Sequence, residues 1–102
     1  MSRTVIWSPE ARADLEAISA YLSAEAPDQA SRVVNRLEEA AQALGRAQIG
    51  RPGRMTGTYE KSVSGIHYII AYFVDRSVGD GPVLVLRIIP AARDWQRNTW
   101  PK

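Results

Sequence analysis

The side chains able to do chemistry are few and unevenly spread. One histidine, His67, opens the most apolar segment of the chain (HYIIAYFV), and cysteine is absent. A lone imidazole at such a place serves as a structural hydrogen-bonding residue more often than as a general base. Without a second histidine, a thiolate or carboxylates at ligand spacing, no zinc site can be assembled, and neither metal nor cofactor is expected. The remaining candidates are arginines. Gly50-Arg51-Pro52-Gly53-Arg54 sets two guanidinium groups in a glycine-rich segment. It lacks the Lys-Ser/Thr of a P-loop and does not run from a strand into a helix, so it reads either as a turn with two solvated cations or as a clamp for an anion or a protein. Arg87 stands among Val, Leu and Ile (VLVLRII), where its charge must reach the surface or pair with an acid. Arg93 and Trp95 follow shortly after, a planar cation beside an indole, which suits partner recognition or a packed structural corner.

Charge divides along the chain. Residues 1–44 hold four Arg/Lys against seven Asp/Glu, and residues 45–102 hold nine against four, so the net charge of +2 hides an acidic half and a basic half. Net charge speaks to partners rather than to fold, and the basic half suggests a surface that meets something anionic; a merely solvated strand face is the plainer reading. At 102 residues one domain with one core is expected. The lack of cysteine suits a reducing compartment. Nothing near Met1 has the pattern of a signal peptide, and no apolar run approaches the roughly 18 residues of a membrane span, so a cytoplasmic protein is expected.

The elements that must position these residues follow from spacing. Thr4 to Trp7 favours a strand, and Ser8-Pro9-Glu10 supplies an N-cap hydroxyl, a proline at the first helical position and an acid at the positive helix end. Ala11, Leu15, Ile18 and Leu22 then recur along one helical stripe, with Arg12, Asp14 and Glu16 falling largely elsewhere. Pro27 and Asp28 interrupt the pattern, which Ala30, Val33, Val34, Leu37, Ala41 and Leu44 resume until Gly45. From Gly45 to Gly57, four glycines, one proline and three arginines in thirteen residues predict a mobile loop. Thr58 to Val63, His67 to Val74 and Val83 to Ile89 predict three strands, joined by a turn at Ser64-Gly65 and a loop from Asp75 to Pro82, with the middle strand buried on both faces. The order β-α-α-β-β-β predicts an α+β fold: an antiparallel helical hairpin on one face of a small, twisted, mostly antiparallel sheet whose other face stays concave and open.

Four segments in this order, VIWSPEARADLEAISAYL, GRPGRMTGTYE, HYIIAYFV and VLRIIPAARDW, resemble the RelE/ParE superfamily of bacterial type II toxins, and its ParE-like branch most closely. The resemblance runs from Thr4 to Trp95 and implies a small toxin held inactive by a cognate antitoxin that wraps around it. The ParE branch is associated with inhibition of DNA gyrase, and the RelE branch with ribosome-dependent mRNA cleavage. Metal-free RNA cleavage needs groups that activate a 2′-hydroxyl, stabilise the phosphorane and protonate the leaving oxygen. RelE-like nucleases typically carry an arginine between two aromatic positions of the central strand. Aligning Tyr68 and Tyr72 with those aromatics puts Ile69 in its place, and no tyrosine follows Arg93 in the tail. The chain also departs from ParE-like relatives, which often have an arginine where Tyr59 stands and a histidine where Pro90 stands.

The resemblance therefore implies a ParE-like binding inhibitor of DNA gyrase with Arg51, Arg54, Tyr59, Arg87, Arg93 and Trp95 on the target-binding surface and no catalytic residue. The implied partner is a ParD-like antitoxin whose C-terminal segment is disordered when free, contributing an amphipathic helix and an added strand along the helical hairpin and the open sheet. DNA is met only through the toxin–antitoxin complex, and no membrane is involved. The alternatives are a RelE-like mRNA interferase and a non-toxic family member retained as an antitoxin partner.

Overall fold

A computed structural model describes residues 2–91. Seven elements follow one another: β1 (Val5–Trp7), α1 (Pro9–Glu25), α2 (Pro27–Ala43), β2 (Arg51–Pro52), β3 (Tyr59–Val63), β4 (Tyr68–Val74) and β5 (Val83–Pro90). The strands form one sheet in the order β1-β5-β4-β3-β2, with β1 parallel to β5 and every other pair antiparallel. The fold is thus the α+β arrangement expected, a helical hairpin packed on a mostly antiparallel sheet.

Local chemistry accounts for the helices. The Ser8 hydroxyl accepts the Ala11 N–H at 3.0 Å, and Pro9 opens α1 without an orphaned donor. The same hydroxyl donates to the Leu86 carbonyl at 2.9 Å, and the Ser8 N–H donates to the Val85 carbonyl, so the cap also fixes α1 against β5. Ala26 separates the helices and Pro27 starts the second, which buries Val33, Leu37 and Ala41. Along α1 only Ala11 is wholly buried; Leu15, Ile18 and Leu22 are partly covered and pack against the core. That core lies between the hairpin and the sheet and includes Leu44, Ile70, Tyr72, Val74, Val83, Val85 and Ile88. At about 25 cal/mol per Å² of apolar surface removed from water, burial of this face is the main favourable contribution to folding.

An irregularity in β5 decides where Arg87 goes. Val83 and Val85 face the core, and strict alternation would send Arg87 there next. The register shifts instead: Tyr72 pairs with Val85 and Ala71 with Arg87, leaving Leu86 without a partner on β4. The bulge turns Ile88 into the core and sends Ile89 to the other face, where it forms a second buried cluster with Ile69 and Ala71. The second sheet face is therefore not open along its middle, contrary to the expectation above. A run as apolar as Tyr68–Val74 contributes buried side chains to both faces, as its composition suggested.

The segment between α2 and β3 also differs from the mobile loop expected. Arg51 and Pro52 pair with Glu60 and Tyr59 as a short edge strand, and the Gly53 N–H donates to the Thr58 carbonyl at 2.7 Å. Gly53 sits so close to Thr58 that a Cβ there would strike its hydroxyl oxygen. The Thr58 hydroxyl donates to the Met55 carbonyl at 2.6 Å, closing the tip of this hairpin.

Candidate functional site

Four of the six residues expected on the target-binding surface lie among the described residues, and the fold divides them into two places. Arg51, Arg54 and Tyr59 gather where β2 meets β3; Arg87 lies across the sheet on the outer edge of β5. Arg93 and Trp95 fall outside the described residues.

At the first place the organising group is Glu60, which sequence reasoning passed over. Its side chain is only 2% exposed, with Arg51 Nη2 at 3.6 Å from one carboxylate oxygen and Arg54 Nε at 3.8 Å from the other. The Arg54 backbone N–H also donates to it at 3.1 Å. A buried carboxylate needs such company, since an isolated charge there is costly. Its cue in the sequence is an acid inside a strand, preceded within nine residues by two arginines in a turn. The two arginines are not equivalent. The Arg54 side chain is 18% exposed and built into the hairpin, whereas that of Arg51 is 63% exposed and presents its guanidinium to solvent.

Tyr59 stacks on Tyr72, with ring centroids 5.7 Å apart and planes inclined by 27°. Beneath it, the buried Tyr72 donates its hydroxyl proton to the Ile49 carbonyl at 2.6 Å, tying the start of the segment to the central strand. Burial raises the Tyr72 pKa, the neighbouring Tyr59 raises it further, and Arg76 partly opposes them. The phenol is thus kept as a donor. The hairpin thus presents the exposed Arg51 guanidinium on the Glu60 face of the sheet and the Tyr59 ring, stacked on Tyr72, on the opposite face, which equips Arg51 for charge-assisted contacts with another macromolecule.

Arg87 meets a different fate from the one expected. Asp14, on the polar side of α1, takes Nε at 2.8 Å and Nη2 at 2.9 Å in a bidentate pair, and its Oδ2 also accepts the Ile88 N–H at 2.9 Å. Both side chains are largely buried, at 15% and 16% exposed. Those hydrogen bonds, ahead of the opposing desolvation, hold the arginine proton more tightly than usual. The pair forms where β1 stops at Trp7, so that beyond Val85 the outer edge of β5 has no strand partner among the described residues. Arg87 is therefore a link between α1 and the sheet edge rather than an open contact residue, because Asp14 engages two sides of its fork.

His67 is exposed, and its side chain makes no hydrogen bond among the described residues; its carbonyl accepts the Ala91 N–H. No group of three or more His, Asp or Glu able to hold a metal occurs among the described residues. No described helix is long and apolar enough to cross a membrane.

Comparison with known proteins fixes the family. The profile of the ParE toxin of the type II toxin–antitoxin system parDE matches residues 5–95. The chain belongs to the ParE toxin family. It is accordingly a type II toxin–antitoxin toxin of the RelE/ParE superfamily. Among relatives of this ParE-family chain, Y4kP of Sinorhizobium fredii is 38% identical over 97 residues, covering 93% of this chain and 96% of the relative. Toxin RelE2 of Caulobacter vibrioides is 39% identical over 90 residues, covering 87% and 96%. Two solved structures share the fold: one of the chromosomal ParDE system of P. aeruginosa, with TM-score 0.76, 22% identity and coverage of 87% of this chain and 96% of that one, and one of the RelBE2 toxin–antitoxin complex of Mycobacterium tuberculosis, with TM-score 0.62, 24% identity and coverage of 88% and 99%.

Proposed function

We propose that this ParE-family toxin acts by binding DNA gyrase and is silenced by a cognate, ParD-like antitoxin. The observation that carries the reading is the family match across residues 5–95. Arg51, Arg54 and Tyr59 form the contact surface, joined by Arg93 and Trp95, with Arg87 acting through the position it gives β5. The exposure of Arg51 supports that role. Ile69, at the position where RelE-like nucleases carry an arginine, lies in a buried aliphatic cluster, where it supplies neither charge nor a proton to a phosphorane. The two fold neighbours come from toxin–antitoxin systems, which supports a partner of that kind. Residues 1–102 serve as one domain in the cytoplasm, and DNA is met only through the antitoxin complex.

The name of the Caulobacter relative supports a second reading, ribosome-dependent mRNA cleavage. Purified toxin separates the two. Inhibition of gyrase supercoiling, with transcripts on stalled ribosomes left intact, is expected; cleaved transcripts with unimpaired supercoiling reverse the assignment. Growth that continues on induction, with neither effect in vitro, assigns the chain to the non-toxic antitoxin partners.

A further inference from the structure

β5 runs for eight residues, and β1 pairs with the outer edge of only the first three. Leu86 to Pro90 would otherwise present a bare and strongly apolar edge, the kind that pairs with another chain. Which backbone groups point outward there follows from the hydrogen bonds. Val83 donates its N–H to the Thr4 carbonyl and Val85 accepts from the Ser8 N–H, so both face β1. Past the bulge Ile88 points the same way, since its N–H reaches Asp14 on α1, whereas Ala91 donates to the His67 carbonyl on the β4 side. Pro90 is therefore the next outward residue after Ile88.

Each of these outward positions is closed by a different residue. The Leu86 carbonyl accepts the Ser8 hydroxyl at 2.9 Å. The Ile88 N–H donates to Asp14 Oδ2 at 2.9 Å. Pro90 has no N–H to offer. Arg87 holds the Asp14 carboxylate in place through Nε and Nη2, although its third nitrogen, Nη1, is buried with no hydrogen-bond partner among the described residues. A pair that strands a donor is a poor choice for stability alone, because well-packed apolar side chains would join α1 to β5 without that cost. What an apolar pair cannot do is accept the Ile88 N–H.

We propose that Ser8, Asp14 and Pro90 close the outer edge of β5 against a second copy of this chain, with Arg87 as the residue that positions the Asp14 carboxylate. A second copy is the partner excluded because two such edges match. Run antiparallel about a two-fold axis, each Ile88 would offer the N–H and C=O that the other needs, with apolar residues opposite apolar ones. The Asp14–Arg87 pair thus does two things: it joins the helix to the sheet, and it keeps this edge from pairing with its own counterpart.

The test uses the purified chain and variants that separate folding from edge closure. Asp14→Leu with Arg87→Met fills the space with apolar side chains and leaves the Ile88 N–H bare; it is expected to fold, and to sediment as a dimer as its concentration rises. Hydrogen exchange at the Ile88 amide of this variant should slow at least about tenfold between dilute and concentrated samples, as a strand partner takes the place of Asp14. Adding Pro90→Thr supplies a second outward N–H and should tighten the dimer at least about tenfold. In the unaltered chain the Ile88 amide should be protected to the same degree at every concentration. A double variant that is folded and monomeric, with Ile88 exchanging at one rate throughout, overturns the proposal. So does an unaltered chain whose Ile88 amide becomes protected only on concentration. Two single changes guard against a mere loss of stability: Asp14→Ala is expected to dimerise through its folded fraction, and Asp14→Asn, which keeps an oxygen acceptor, to stay a monomer. Equal dimerisation of both assigns the association to weakened folding and also overturns the proposal.

Discussion

Two arginine–carboxylate clusters, built from the same chemistry, do opposite things in this molecule. At the β5 edge, Asp14 and Arg87 meet at 2.8 and 2.9 Å across 73 residues of sequence, and both are largely withdrawn from water. At the β2–β3 hairpin, Glu60 is more deeply buried than Asp14, yet its two arginines stand at 3.6 and 3.8 Å and one of them remains mostly exposed. In the first cluster the acid captures the arginine through Nε and Nη2, and the nitrogen it leaves over, Nη1, is buried. In the second the acid is the captive: it is shared between two cations and a backbone N–H, which leaves the Arg51 guanidinium facing outward. Burial of the carboxylate is thus a poor guide to whether its arginine is available. Bidentate geometry is the better one.

The largest effect belongs to the tight pair. Asp14→Ala strips Arg87 of its counter-ion and the Ile88 N–H of its acceptor, and should cost about 3 kcal/mol in urea unfolding, because removing one partner of a buried pair leaves the other uncompensated. Replacing both, as Asp14→Leu with Arg87→Met, should recover most of that loss. If Asp14→Ala unfolds at the same urea concentration as the unaltered protein, the β5 cluster is not structural and the contrast fails.

Glu60→Ala should follow, at about 1–3 kcal/mol, by leaving the Arg54 N–H without its acceptor and two cations without a shared anion. Its distinguishing sign is local: hydrogen exchange should quicken across residues 51–58 and stay unchanged along α1. Equal acceleration at α1 means that the two clusters are not separate units.

The order of elements was legible because caps, prolines and apolar stripes are local signals. Ser8-Pro9 marked the start of α1, and the apolar run after His67 marked the central strand. Arg87 announced that it needed water or an acid, since a guanidinium between valine, leucine and isoleucine has no third option. Its partner was hidden, because Asp14 lies 73 residues away and reads locally as one more polar residue on an exposed helix face. The bulge that turns Arg87 out of the core was equally invisible, since strand periodicity carries no mark of an inserted residue such as Leu86. The pairing of Arg51 and Pro52 with β3 was masked by glycine-rich composition, and the hold of Tyr72 on Ile49 spans 23 residues and depends on the completed sheet. The chemistry of single residues was therefore readable; long-range pairing was not.

The tether beneath the hairpin gives a smaller effect and a pH signature. Tyr72→Phe should cost about 1 kcal/mol for the lost hydrogen bond to the Ile49 carbonyl. The folded-state pKa of Tyr72 is raised above the ordinary 10.0, so the neutral phenol is favoured by folding. Its contribution is fully present below pH 10 and is lost as pH rises through the folded value, because the unfolded chain releases the proton first. Alkaline titration of stability should therefore be less steep in Tyr72→Phe than in the unaltered protein. Parallel curves mean that the phenol titrates alike in both states.

The smallest change in stability belongs to Arg51, and it is the most telling about function. Its side chain is 63% exposed and its nearest contact to Glu60 is 3.6 Å, so solvent screens the pair and the cost of ordering a long side chain offsets much of the attraction. Arg51→Ala should therefore shift unfolding by no more than about 0.5 kcal/mol. On the proposed gyrase reading, inhibition of supercoiling should nonetheless weaken at least tenfold, and affinity for the antitoxin should hold within about tenfold, which is roughly 1.4 kcal/mol. Asp14→Ala should show the reverse pattern, a large loss of stability with inhibition by the remaining folded fraction preserved. If Arg51→Ala retains full inhibition, the exposed guanidinium is only a solvated charge. The availability argued from its geometry then has no target, and the difference between the two clusters becomes one of stability alone.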